Sequence, residues 1–121
     1  MVLFRDELTT FIYHLTKLVM FNFLRSRSAE QPIRPTTEQV LAGTIVDVRT
    51  TSEFARDHVE GSINIPLSEV ESQLAKFHQM KQPVITCCRS GNRSGIAAAQ
   101  LKSHGIQAIN GGPWNTLPRS K

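Results

Sequence analysis

Cys88-Arg89-Ser90-Gly91-Asn92-Arg93-Ser94 places one thiol beside two guanidinium groups, with small and polar residues between them. That composition suits nucleophilic chemistry on an anion. A loop of this kind can turn several backbone N–H groups toward the sulfur, and a following helix N-terminus adds partial positive charge. Arg89 and Arg93 add full charges. Each influence favours thiolate over thiol, so Cys88 is expected to have a lowered pKa and to act as a nucleophile. The alternative is a buried structural cysteine beside a solvated turn.

The flanking segments are those that would hold such a loop. Pro83-Val84-Ile85-Thr86-Cys87 is short, apolar and β-branched, and reads as a buried strand. The stretch from Gly95 to Gly105 is rich in helix formers, and its last glycine sits where a helix C-terminus favours one; the helix is expected over 94–104. Further elements precede and follow. Thr36 or Thr37 caps a short helix through Leu41, stopped by Gly43. Thr44–Val48 is a central strand that delivers Asp47 and Arg49 at its end, and 52–56 is a helical turn. A short strand lies within 58–66. Val70, Leu74 and Phe77 mark an amphipathic helix over 68–80, and Ile106–Ile109 forms a last strand closed by Gly111-Gly112-Pro113-Trp114. Strands alternating with helices indicate an α/β domain with a parallel sheet flanked by helices on both faces. Ligands of such sheets sit beyond the C-terminal ends of the strands, where Cys88 would lie. Cys87, one residue earlier, should face the opposite side and join the core; a resolving thiol is its other reading.

Residues 1–28 have a different character. Phe4, Leu8, Phe11, Ile12, Leu15, Leu18, Val19 and Phe23 recur at helical spacing, giving an amphipathic helical extension. Its most apolar run, Phe11 to Leu24, is 14 residues long and contains His14, Lys17 and Asn22, whereas a spanning helix needs about 20 apolar residues. Three readings stand: a helix that folds back on the domain or pairs with a second copy, a membrane-surface contact with Arg25 and Arg27 near anionic headgroups, or a signal or anchor. Residues 29–35 read as a linker and 36–118 as the compact domain. The net charge of +4 comes from 14 scattered Lys and Arg residues, so small anions rather than nucleic acid are the expected partners. The only two cysteines are adjacent, which excludes a disulfide framework and points to a reducing, cytoplasmic setting. His14, His78 and His104 are too dispersed to join Cys88 in a metal site, so no metal is implied.

The loop from Cys88 to Ser94 resembles the active-site loop of the rhodanese-like sulfurtransferases. Four residues separate Cys88 from Arg93, whereas cysteine-dependent phosphatases have a longer loop. That spacing argues against phosphatase or arsenate reductase chemistry. The resemblance extends over about residues 34–117 through Asp47-Val48-Arg49 with Glu53-Phe54, through His58-Val59-Glu60-Gly61-Ser62-Ile63-Asn64-Ile65-Pro66, and through Gly111-Gly112 with Trp114. It departs from the usual pattern at Asp57 and Ser62, and in the closeness of Trp114 to the glycines. The resemblance implies a rhodanese-like fold and a Cys88 persulfide as the catalytic intermediate. Arg89, Ser90, Gly91, Asn92, Arg93 and Ser94 become substrate-binding residues. Asp47 and Arg49 are expected to form a structural charge pair near the site, and His58 to be a hydrogen-bonded structural residue. The implied partners are a small anionic sulfur donor such as thiosulfate and a cyanide, thiol or protein acceptor. No cofactor is implied. The alternative role is a persulfide carrier or regulatory interaction module with little turnover.

Overall fold

The computed structural model describes residues 34–118. At its centre is β3 (Val84–Cys88), in which every residue is buried. β-Branched and small side chains suit a strand covered on both faces. β1 (Thr44–Asp47) pairs with one edge of β3 and β4 (Ala108–Pro113) with the other. β2 (Ile63–Asn64) lies outside β1, giving the order β2-β1-β3-β4 with all pairs parallel. Parallel neighbours cannot be joined by tight turns, so crossover segments link them. α1 (Thr37–Ala42) leads into β1, and α2 (Thr51–Arg56) follows it. Two 3₁₀ turns (Leu67–Glu69 and Glu71–Gln73) and α3 (Leu74–His78) connect β2 to β3. α4 (Asn92–Ser103) connects β3 to β4, and a 3₁₀ turn at Trp114–Thr116 follows. The chain divides between Pro32 and Ile33, so the extension expected over 1–28 lies outside the described residues. Among the described residues no helix is long and apolar enough to cross a membrane.

Alternation along the strands separates two apolar clusters. Val84 and Cys88 join Val46, Phe77, Ala97 and Leu101 on one face. Ile85 and Cys87 join Val40, Ile45, Val59 and Leu117 on the other, with Trp114 packed against them. Phe77 is fully buried, and removing a ring from such a site costs about 3–5 kcal/mol.

Both short helices before the site begin in capping boxes. Thr36 accepts from Gln39 N–H while the Gln39 side chain accepts from Thr36 N–H, and Thr50 and Glu53 repeat the arrangement. The segment expected as one helix over 68–80 is instead the two 3₁₀ turns followed by five-residue α3. Leu67 and Val70 lie three apart, which a 3.0-residue turn keeps on one side, whereas Val70, Leu74 and Phe77 step by four and three as an α-helix does. Gln73, at φ −116° and ψ 25°, interrupts the helical path. α4 starts two residues before its expected position, because Gly95 N–H already donates to Gly91 O at 3.0 Å and closes a turn inside the loop.

The last strand also runs further than expected, through both glycines to Pro113. Thr86 pairs with Asn110 and Cys88 with Pro113, so β4 carries one extra residue opposite the end of β3. A Cβ at Gly111 would come 2.8 Å from Thr86 O and 2.9 Å from Ile85 Cγ2, so the close approach of the two strands requires glycine there.

Candidate active site

Cys88 is the last residue of β3, and the chain turns away from the sheet immediately beyond it. Gly91 holds φ at +99°, a left-handed conformation that glycine adopts without a side-chain penalty. Its N–H thereby reaches Cys88 Sγ at 3.0 Å, and Ser94 N–H reaches the same sulfur at 3.5 Å. Ser94 Oγ lies 3.3 Å from Sγ, and the backbone N–H of Ser90 is also directed to it. The cysteine is buried, and desolvation, the largest single influence, pushes its pKa up. The Ser94 hydroxyl and the N–H groups of Ser94, Gly91 and Ser90 together outweigh that cost, leaving the thiol below its ordinary value of 9.0. Cys87, equally buried on the other face, has no such donors; desolvation drives its pKa well up.

The sequence brings three arginines to this end of the sheet. Arg93 donates from both terminal nitrogens to the Glu53 carboxylate, at 2.7 and 3.0 Å. These contacts tie the start of α4 to α2. The Arg93 bond, opposed by some desolvation and helped by Thr50, holds the Glu53 carboxyl down at about 2. Arg49 is buried and doubly bonded to Asp47, with Nη2 2.7 Å from Asp47 Oδ2 and Nε 3.0 Å from both carboxylate oxygens. It also donates to Asp57 O at 2.7 Å and lies over the Trp114 ring at 4.7 Å. Of the two arginines expected to act on Cys88, Arg93 is therefore met by a carboxylate. Arg89 differs: it is exposed, and no described side chain pairs with it. Ser90 and Asn92 are exposed beside it, with Asn92 N–H near Ser90 Oγ at 3.5 Å.

Three contributors were not singled out by sequence reasoning. Thr50 caps α2 and orients Glu53, and its Thr-x-x-Glu spacing was a readable signal. Asn64 Nδ2 donates to Asp47 O and Arg49 O, both at 3.0 Å, fixing the end of β1. Asn110, on β4, bonds to Ser94, Gly91 and Gly112 at the back of the loop. His58 stacks on Phe54 at 3.7 Å between ring centroids, and its Nδ1 lies 2.7 Å from Phe54 O. Asp57 has extended backbone, so glycine is not required there, and the Ser62 hydroxyl donates to Val59 O at 2.6 Å. Among the described residues no three His, Cys, Asp or Glu side chains gather as a metal site.

Cys88 is thus cradled by N–H groups at the C-terminal edge of a parallel sheet, where a helix begins. Residues 28–112 match the family model of the Rhodanese-like domain, and the chain belongs to that family. It is 36% identical over 65 residues to a thiosulfate sulfurtransferase of Escherichia coli, PspE, covering 53% of this chain and 62% of that protein. It is 34% identical over 65 residues to the putative sulfur carrier protein YrkF of Bacillus subtilis, covering 54% of this chain and 35% of that protein. A solved structure described as a rhodanese with anions from E. coli superposes with a TM-score of 0.58 at 31% identity, covering 63% of this chain and 92% of that one. The chain spans less than two thirds of the length of either curated relative. These two relatives are thus named as a sulfurtransferase and a putative sulfur carrier.

Proposed function

We propose that the protein is a sulfurtransferase that carries sulfane sulfur as a persulfide on Cys88. The observation that carries this reading is the set of polar groups around Cys88 Sγ, with N–H donors from Gly91 at 3.0 Å and Ser94 at 3.5 Å and the Ser94 Oγ at 3.3 Å. In the first step the Cys88 thiolate attacks the outer sulfur of a donor such as thiosulfate. The donor's S–S bond breaks, and sulfite leaves with the bonding pair. The negative terminal sulfur of the persulfide is then held by the loop's donors. In the second step cyanide, a thiol or an acceptor protein attacks that sulfur, and the pair of the broken bond returns to Cys88 Sγ. Each step is a displacement at sulfur, balanced by its leaving group and requiring no cofactor.

Cys88 is buried, while the loop residues Arg89, Ser90 and Asn92 beside it are exposed to an incoming donor. Arg89, with no carboxylate partner among the described residues, is the side chain we assign to the incoming anion; Arg93 keeps the loop anchored through Glu53. Asp47 and Arg49 brace the neighbouring strand end. The chemistry is assigned to residues 36–118. The apolar stripe of residues 1–28 is then left for self-association or an anionic membrane surface.

The test is intact mass after thiosulfate treatment. One added sulfur, roughly 32 Da, should appear and be removed by cyanide or reductant. No adduct at millimolar thiosulfate overturns the reading. The name of the B. subtilis relative favours a second reading, a sulfur carrier that charges but delivers only to a partner protein. That reading predicts the same adduct, stable to cyanide turnover.

A further inference from the structure

The Asn110 side chain makes three polar contacts behind the loop, none of them a hydrogen bond to Cys88. Its Oδ1 accepts from Gly112 N–H at 3.0 Å, and its Nδ2 donates to Gly91 O at 3.1 Å. Exchanging oxygen and nitrogen would set donor against donor and acceptor against acceptor, so the amide orientation is fixed by its partners. The third contact is Ser94 Oγ, 2.7 Å from Oδ1. An amide oxygen only accepts, so Ser94 must donate. A hydroxyl has one hydrogen. With that hydrogen on Asn110, Ser94 presents only lone pairs to Cys88 Sγ at 3.3 Å.

This arrangement suits a protonated Cys88, whose S–H can donate to Ser94 Oγ. It does not suit a charged sulfur, which needs the Ser94 hydrogen for itself. We propose that Asn110 is a positioning residue for the sulfur chemistry: its amide oxygen holds the Ser94 hydrogen while Cys88 carries a proton, and releases it to Sγ when the sulfur carries charge. The proposal rests on the reading of Cys88 as the sulfur-carrying nucleophile. When the acceptor removes the outer sulfur, the electron pair of the broken bond stays on Sγ and the hydroxyl turns toward it. No proton changes owner; only a hydrogen bond changes partner. The fold also leaves room for the amide, since a Cβ at Gly95 would stand 3.1 Å from Asn110 Nδ2.

The proposal makes a signed prediction about acidity. Removing the Asn110 acceptor withdraws support from the thiol form, so the thiolate is favoured. A merely structural role predicts the reverse, because a loosened loop presents its N–H groups less well. The other charged or titratable groups around this end of the sheet are Cys87 on β3, Asp47 and Arg49 at the end of β1, the Glu53–Arg93 pair between α2 and α4, and Arg89 on the loop. None of them is altered by the variants.

The experiment measures the rate of Cys88 alkylation by iodoacetamide against pH, read by mass, in the full chain. Asn110→Ala should lower the Cys88 pKa by about half a unit, giving roughly three times more thiolate at pH values below it. Ser94→Ala should raise it, and Asn110→Ala added to Ser94→Ala should then change nothing. A raised or unchanged pKa in Asn110→Ala, or the same fall without Ser94, overturns the proposal. If circular dichroism shows Asn110→Ala unfolded, Asn110→Asp keeps the acceptor and should raise the pKa. That rise must shrink when Ser94 is Ala, and an undiminished rise overturns the assignment. Alkylation needs no sulfur donor, so a wild-type chain without a thiosulfate adduct defeats the transferase reading alone.

Discussion

Cys87 and Cys88 are adjacent on one strand, and neither has exposed surface. Their acidities nevertheless move in opposite directions from the same starting value. On the Cys87 face the sulfur meets Val40, Ile45, Val59, Ile85 and Leu117 in an apolar cluster. No hydrogen-bond donor among the described residues reaches that sulfur, so desolvation dominates, with the Asp47 charge adding to it and Arg49 opposing. On the Cys88 face the same desolvation is present, but three backbone N–H groups point at the sulfur and the Ser94 hydroxyl stands within reach of it. Burial thus sets how much a hydrogen bond matters, and the local backbone sets the sign. The contrast also shows how little of the effect must come from the arginines, since two of the three are paired with carboxylates.

The sharpest way to break the contrast is to exchange the nucleophile. Cys88→Ser keeps the shape but replaces the thiol with a group that is not anionic at working pH, so sulfur transfer should fall to background with the fold retained. Cys87→Ala should leave turnover largely intact and cost about 1–2 kcal/mol for a small buried deletion. Thiosulfate:cyanide turnover and thermal midpoints of both variants decide this. Loss of turnover in folded Cys87→Ala would mean that the two sulfurs work as a pair.

A smaller effect separates the faces by pH. Cys88 modification by iodoacetamide should rise with a midpoint below 9.0, whereas Cys87 should stay unmodified throughout the alkaline range tested on folded protein. Peptide mapping after brief alkylation at each pH reads both sites at once.

The smallest expected effect lies at the anchor of the loop. Glu53 has a folded-state pKa of about 2 against an ordinary 4.5, so the folded state binds fewer protons than the unfolded chain between those values. Its contribution is fully present above about pH 4.5 and is lost as pH falls toward 2. Glu53→Gln should remove that part of the acid sensitivity and lower stability at neutral pH by about 1 kcal/mol or less, as for other partly exposed pairs. Transfer should slow several-fold as Arg93 loses its anchor. Acid titrations of both proteins by circular dichroism, alongside turnover, test this.

The cradle itself was legible because its residues are contiguous. Cys88 to Ser94 carries in seven letters the thiol, the left-handed glycine and the helix start. The opposite facing of Cys87 followed from the two-residue period of a strand. What could not be read was non-local. Arg93 finds Glu53 across 40 positions, and Ser94 finds Asn110 across 16, and no local pattern announces either pairing. Residues 68–80 differ for another reason: apolar steps of three and four are met by two 3₁₀ turns followed by a short helix as well as by one continuous helix, and periodicity alone does not distinguish them.

The extra residue in β4 has a consequence for parity. In an uninterrupted strand, positions four apart share a face. Asn110 and Trp114 are four apart, yet Asn110 bonds to Ser94 and Gly91 behind the loop while Trp114 packs with the cluster around Cys87 and under the Arg49 guanidinium. The added residue, together with the turn that begins at Trp114, lets a chain that reads odd and even in strict succession serve both sides of the sheet within five positions. Here the count of residues matters as much as their identity. A deletion at Gly111 or Gly112 would remove no functional side chain, yet it would hand one face's partner to the other.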